Sequence, residues 1–336
     1  MKVNKIILFL LLTFMIHPIV GADPSRKICV LTRKKFYSEM EGAHRLKRAG
    51  ENLNWEVLIR DFEDATINEI PDLDWIMHLV PGSRKFTSAR NYLAIYDYNW
   101  MFDSKRKFKK GFLSFDGFLM TMNERDQIAE DLYDSGNPIH YITWYPTVQK
   151  TDFNYSNASK LIYFLCVWGN RLTDKKYREF NQYLDKQKYA VFYGAPANKR
   201  YYPQSYKGTV PFDGVSAIER IREGGAVLIL HSESHLNEGL PSGRIFEAAA
   251  SSVVIISDRN QFVMDHFGDS VLYIDQTKSA KSMFQEVHRH MKWIQEHPEE
   301  AREKARRAHE IFLEEFNLED QLLELEKMHE AVLLGV

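Results

Sequence analysis

The residues best suited to chemistry lie between Ala226 and Asp258, in AVLILHSESHLNEGLPSGRIFEAAASSVVIISD. An apolar run ends at His231, a loop with Gly239 and Pro241 follows, and a second apolar run begins at Val253. Pro241 suits the first position of a helix, since its fixed φ is helical and its missing N–H would be unbonded there anyway. Ser242 and Gly243 then leave backbone N–H groups open at the positive end of that helix, where an anion is favoured. Arg244 adds a planar fork of donors matched to phosphate. Glu247 stands three residues on, so both side chains share one helix face, and its carboxylate can accept two ribose hydroxyls while the arginine meets phosphate. The same spacing also suits a plain surface ion pair, and the residues alone leave both readings open.

These side chains need a frame, and the rest of the chain supplies one. From Lys27 onward, short β-branched or aromatic runs alternate with longer amphipathic stretches, the pattern of repeated βα units and α/β parallel sheets. In the first half KICVLT, WEVLIR, DWIMHLV, YLAIYDY, FDGFLMT and PIHYITWYP read as strands; helices are expected over Glu39–Leu53 and over Asn123–Asp134, the latter capped by Asn123. In the second half LIYFLCVW, YAVFYGA, GTVPF, AVLILHS, SVVIISD and VLYID read as strands, with helices near Lys175–Lys186, Gly214–Glu223 and Ser242–Ser251. The polar stretch TDFNYSNAS lacks apolar periodicity and is the expected linker. This divides the chain into Rossmann-like domains over 23–153 and 154–296, with helices over 297–336. In open α/β sheets a ligand binds beyond the carboxyl ends of the strands, and the loop from Ser232 to Ser242 lies there.

Composition limits the partners. With 44 Lys+Arg against 46 Asp+Glu the formal charge is -2, so no global field favours nucleic acid, and an anionic ligand must be held by a local site. Cys29 and Cys166 each sit inside an apolar run and read as core residues, although one bridge between two buried strands stays open. His231 and His235 flank Glu233, but they follow a strand into a loop and do not have the HExxH order, so no metal is expected. Trp100, Trp168 and the run Tyr141–Pro146 are assigned to packing, and EEAREKARRAHE to a solvated helix face. At the start, Lys2 and Lys5 precede an apolar stretch over Ile6–Val20, and Val20-Gly21-Ala22 offers small residues for cleavage. Residues 1–22 are therefore expected to be a secretory signal, giving a secreted or periplasmic protein, with an uncleaved membrane anchor as the alternative. Asn154 and Asn157 open glycosylation sequons.

The stretch EGLPSGRIFEAAASSVVIISD resembles the donor-binding motif of GT-B glycosyltransferases of the group-one type, and its GRxFEAAA form is closest to the spore-protein CgeB-like branch. The resemblance implies two Rossmann-like domains facing across a cleft, with a C-terminal helical tail crossing back to the first. It implies a UDP- or GDP-sugar as co-substrate, no other cofactor, and a glycan, protein or small-molecule acceptor. By the family's pattern Glu247 holds the donor ribose and Glu238 lies near the transferred sugar, although the eight residues between them are one more than usual. In WGNRLTDKKYREF, Arg171 and Lys176 match the cations placed against the diphosphate, and His231 joins the donor side. Gly42 in SEMEGAHRL sits where relatives carry a glycine-rich turn on the acceptor side. His78 in DWIMHLVPG sits where they place a histidine beside the reacting sugar, or else is a satisfied structural histidine. Arg171, Lys176, Arg244 and the helix end near Ser242 would meet the leaving diphosphate's charge without a metal. Retention of configuration comes from the resemblance alone. The rival readings are a secreted two-lobed small-ligand binding protein and a GT-B-shaped chain without catalysis.

Overall fold

The computed structural model describes residues 25–33, 37–80, 82–96, 109–121, 123, 125–164 and 174–335. The expected signal over 1–22, Cys166 and Arg171 lie outside the described residues.

Two parallel six-stranded sheets follow one another. The first contains β1 (Lys27–Thr32), β2 (Glu56–Asp61), β3 (Trp75–His78), β4 (Arg90–Ile95), β5 (Gly117–Met120) and β6 (Tyr141–Thr143), ordered β2-β1-β3-β4-β5-β6. Strand β1 is sandwiched between β2 and β3, with Val30 opposite Ile59 on one side and Met77 on the other. Its side chains alternate between faces: Ile28 and Val30 enter one apolar cluster, Cys29 and Leu31 another. Burial pushes the Cys29 thiol up to about 12, so it behaves as a core side chain. Helix α1 (Tyr37–Asn52) links β1 to β2, and α2 (Arg125–Asp134) links β5 to β6. Helix α2 begins two residues after Asn123, whose side-chain amide donates to the Glu238 carbonyl at 2.7 Å.

The second sheet contains β7 (Lys160–Phe164), β8 (Ala190–Tyr193), β9 (Tyr206–Gly208), β10 (Gly225–Ile229), β11 (Val254–Asp258) and β12 (Val271–Ile274), ordered β12-β11-β10-β7-β8-β9. Helix α3 (Lys175–Asp185) and the later α8 (Ala280–Glu296) cover one face. Helices α4 (Ser216–Gly224), α6 (Gly243–Ala250) and α7 (Gln261–Phe267) cover the other, and α5 (Glu233–Glu238) caps the loop after β10. GTVPF is not a strand: pairing stops at Gly208, and the chain from Thr209 to Gly214 runs out to meet α1. Gly225 ends α4 and opens β10 with φ +78°, and a Cβ there would lie 2.5 Å from Ala158 Cα, so only glycine fits.

The tail divides its loyalty. Helix α9 (Pro298–Ile311) stays on the second sheet through Ala301 and Ala308, contrary to the expectation that the whole tail packs on the first domain. A π turn over Phe312–Phe316 and the Asn317 cap then redirect the chain. Helix α10 (Leu318–Leu334) crosses back and inserts Leu318, Leu322, Leu325 and Met328 beside Trp55, Trp75 and Trp144 of the first domain. Those four positions trace one helix face, and at about 1.5–3 kcal/mol per buried side chain the strap is comparable with a whole domain's net stability.

Candidate functional site

Helix α6 begins two residues later than Pro241 would place it. Ser242 is the N-cap in extended conformation, its hydroxyl accepting from the Arg244 N–H at 3.4 Å, and Gly243 is the first helical residue. Pro241 instead precedes the cap. Gly243 is needed for close approach, because a Cβ there would stand 2.9 Å from the Pro146 carbonyl of the interdomain connector. Ala248, Ala249 and Ala250 are fully buried and press the helix onto the sheet.

Glu247 is buried and faces the first domain, not bulk water. One carboxylate oxygen pairs with Arg244 from its own helix, the other with Arg45 from α1. Arg45 is also held by Glu41, at 2.8 and 3.2 Å, and the second Glu41 oxygen accepts the Gly214 N–H at 3.0 Å. The Arg244 guanidinium lies 4.4 Å above the Phe164 ring at the end of β7, with 38% of its side chain exposed. The plain ion pair considered above therefore exists, but at a buried domain interface and with a third member. Burial pushes the Glu247 carboxyl up, and the two guanidiniums outweigh it, so the group sits below the ordinary range and is ionised. Arg45 was invisible to sequence reasoning; its only local signal is the spacing to Glu41 on the same helix face.

At the end of β10, His231 is held by Asp258 of β11: the backbone N–H donates to Oδ2 and Nδ1 to Oδ1, both at 2.7 Å. Nδ1 faces the carboxylate, and the buried Nε2 meets no hydrogen-bond partner among the described residues. Asn260 ties the α5 loop down by donating to the His235 and Leu240 carbonyls at 3.1 and 2.9 Å. His235 stands 6.3 Å from His231, ring to ring. Among the described residues, no group of three or more His, Cys, Asp or Glu side chains is placed to hold a metal.

Glu238 ends α5, exposed, and its carbonyl takes the Asn123 bond, so the carboxyl edges of both sheets meet there. Lys176, in the first turn of α3 behind the Asp174 cap, donates to the Gln276 carbonyl beyond β12 at 2.6 Å. Gly42 lies inside α1, not in a turn, with ordinary packing on Leu79.

His78 is not at the cleft. It is fully buried in the first domain, with Nδ1 2.6 Å from Ser83 Oγ and Nε2 3.0 Å from Asn91 Oδ1. The Asn91 amide donates to the Phe86 and Ala89 carbonyls, so its oxygen must accept from His78 Nε2–H. Burial lowers the imidazole to about 4, which makes it a neutral structural residue.

The whole architecture can be set beside known proteins. A sucrose-phosphate synthase from Thermosynechococcus elongatus superposes with TM-score 0.55 at 9% identity, covering 93% of this chain and 100% of that one. A glycosyltransferase from Rickettsia africae gives 0.56 at 12%, over 93% and 99%. Anabaena HepE, solved in complex with UDP-glucose, gives 0.52 at 10%, over 90% and 99%. The fold is GT-B. Residues 165–327 also match the family described as Glycosyl transferase-like, a stretch that contains α3, α6 and the Arg244/Glu247 pair. No curated protein matches by sequence.

Proposed function

We propose that the chain is a glycosyltransferase that moves a sugar from a nucleoside diphosphate donor to an acceptor hydroxyl. The observation that carries this is the buried, ionised Glu247 at the domain interface, one helical turn from the Ser242 cap and Arg244. That group offers a carboxylate for ribose hydroxyls and a helix end with a guanidinium for phosphate. The glycosyl transferase-like match over the same segment, and the UDP-glucose bound by Anabaena HepE, support a nucleotide-sugar donor.

In this reading Arg244, the α6 N-terminus and Lys176 stabilise the departing diphosphate, so no metal is required. Arg171 is proposed as a further cation on sequence grounds. Glu238 is proposed near the transferred sugar from its place at the meeting of the two carboxyl edges. The CgeB-like branch, retention of configuration, a glycan, protein or small-molecule acceptor, and export through residues 1–22 belong to the same proposal. Closure of the cleft would align acceptor oxygen and anomeric carbon.

Thermal melting with UDP, GDP, free sugars and amino acids tests it. A nucleotide at 100 times its dissociation constant should add about 2.7 kcal/mol of stability. Shifts with UDP or GDP that vanish in Glu247→Ala support the transferase, and product mass spectrometry with a nucleotide-sugar panel then names donor and acceptor. A shift with free sugar or amino acid alone would replace the proposal with a two-lobed binding protein.

A further inference from the structure

Glu41, Arg45, Glu247 and Arg244 form a single chain of alternating charges across the domain interface. Glu41 and Arg45 share α1, and Arg244 and Glu247 share α6. The side chains of Glu41, Arg45 and Glu247 are at most 9% exposed, so they have little competition from water.

Removing one partner from a buried ion pair leaves a stranded charge and is strongly destabilising. This network avoids that outcome if it parts in the middle. Arg45 keeps both of the hydrogen bonds it donates to Glu41, and Glu247 keeps Arg244, so each domain carries away a neutral pair. The central Arg45–Glu247 contact is the link that can open without orphaning a charge.

Each Glu247 oxygen accepts from one guanidinium, and Arg45 covers this buried carboxylate from the first-domain side. A ribose diol approaching from that side competes with Arg45 for the space and the lone pairs there. Arg244 is tethered three residues away on the same helix, whereas Arg45 belongs to the other domain and leaves with it. We infer that Arg45 is a releasable interdomain latch that competes with the nucleotide for Glu247, so that donor binding loosens one of the contacts that hold α1 against the second domain. The inference rests on the reading of Glu247 as the ribose-holding carboxylate.

Isothermal titration calorimetry of the full chain with UDP and GDP tests it. Arg45→Met combined with Glu41→Gln removes the latch while keeping the remaining charges balanced; Arg45→Lys is a milder second variant that keeps the charge but loses the fork bridging two carboxylates. The latch predicts that the double variant binds UDP or GDP roughly tenfold tighter than wild type, the order of one charge-assisted hydrogen bond, and that Arg45→Lys falls between them. Solution scattering should show a larger radius of gyration for the double variant. An arginine that merely stabilised the interface would lower the melting temperature without tightening nucleotide binding. Equal or weaker binding in both variants overturns the latch. Glu247→Gln separates the two ideas: if it weakens nucleotide binding while the Arg45 variants change nothing, the donor site stands and the latch falls. If it leaves wild-type binding intact, or if neither nucleotide binds any form, the donor-site reading fails and the latch with it.

Discussion

The buried His78 should make the first domain acid-sensitive by a calculable amount. Its imidazole is lowered from 6.5 to about 4 by burial, against the opposing Asn91 hydrogen bond and with help from Lys85 nearby. Between those values the unfolded chain binds a proton that the folded domain refuses. The contribution is therefore complete above about pH 6.5 and is lost as pH falls toward 4. The full difference corresponds to about 3 kcal/mol, of which about 2 kcal/mol is lost by pH 5. His78→Gln removes the titrating group and leaves its neighbours provided for, since the Ser83 hydroxyl can turn to the Val80 carbonyl 3.1 Å away and Asn91 Oδ1 also accepts the Phe86 N–H at 2.9 Å. Urea unfolding of wild type and variant at pH 8, 6.5 and 5 isolates the effect, because every other titrating group cancels in the difference. The variant should be less stable at pH 8, with the gap narrowing by about 2 kcal/mol at pH 5. A gap constant to within about 0.5 kcal/mol would refute the buried neutral assignment. Loss of transfer activity at unchanged stability would restore a role in the chemistry.

Gly225→Ala should cost more than about 2 kcal/mol in denaturant unfolding, from the φ of +78° and the Ala158 backbone 2.5 Å from the new Cβ; wild-type stability would show that the α4–β10 junction tolerates a side chain. Once a donor and acceptor are known, product formation should continue in excess chelator, because Arg244, Lys176 and the α6 N-terminus are proposed to meet the diphosphate charge. Activity abolished by chelator and restored by a divalent cation would reverse that part of the proposal.

Strands were readable because a parallel sheet covered on both faces demands continuous apolar runs, and KICVLT or SVVIISD can bury alternate residues on opposite sides. GTVPF misled because β-branched and aromatic residues also serve a loop that leaves the sheet, and Pro211 has no N–H to give a ladder. Helix α5 was hidden in a polar loop because it is short and is stabilised locally, by the Ser232 cap and by Gly239 at φ +64°.

By itself the sequence determined the two-sheet α/β plan and the Arg244/Glu247 helix, since both depend on local periodicity and on spacings within a few residues. Only the tertiary structure decided which charges meet across the interface and which histidine is sealed in. Arg45 reaches Glu247 from 202 positions away, and His78 is satisfied by Ser83 and Asn91 on segments that fold back over it. Hydrogen bonds and ion pairs act through space at a few ångströms, and side chains that are remote or unremarkable in sequence become partners only when the folded sheets bring them together.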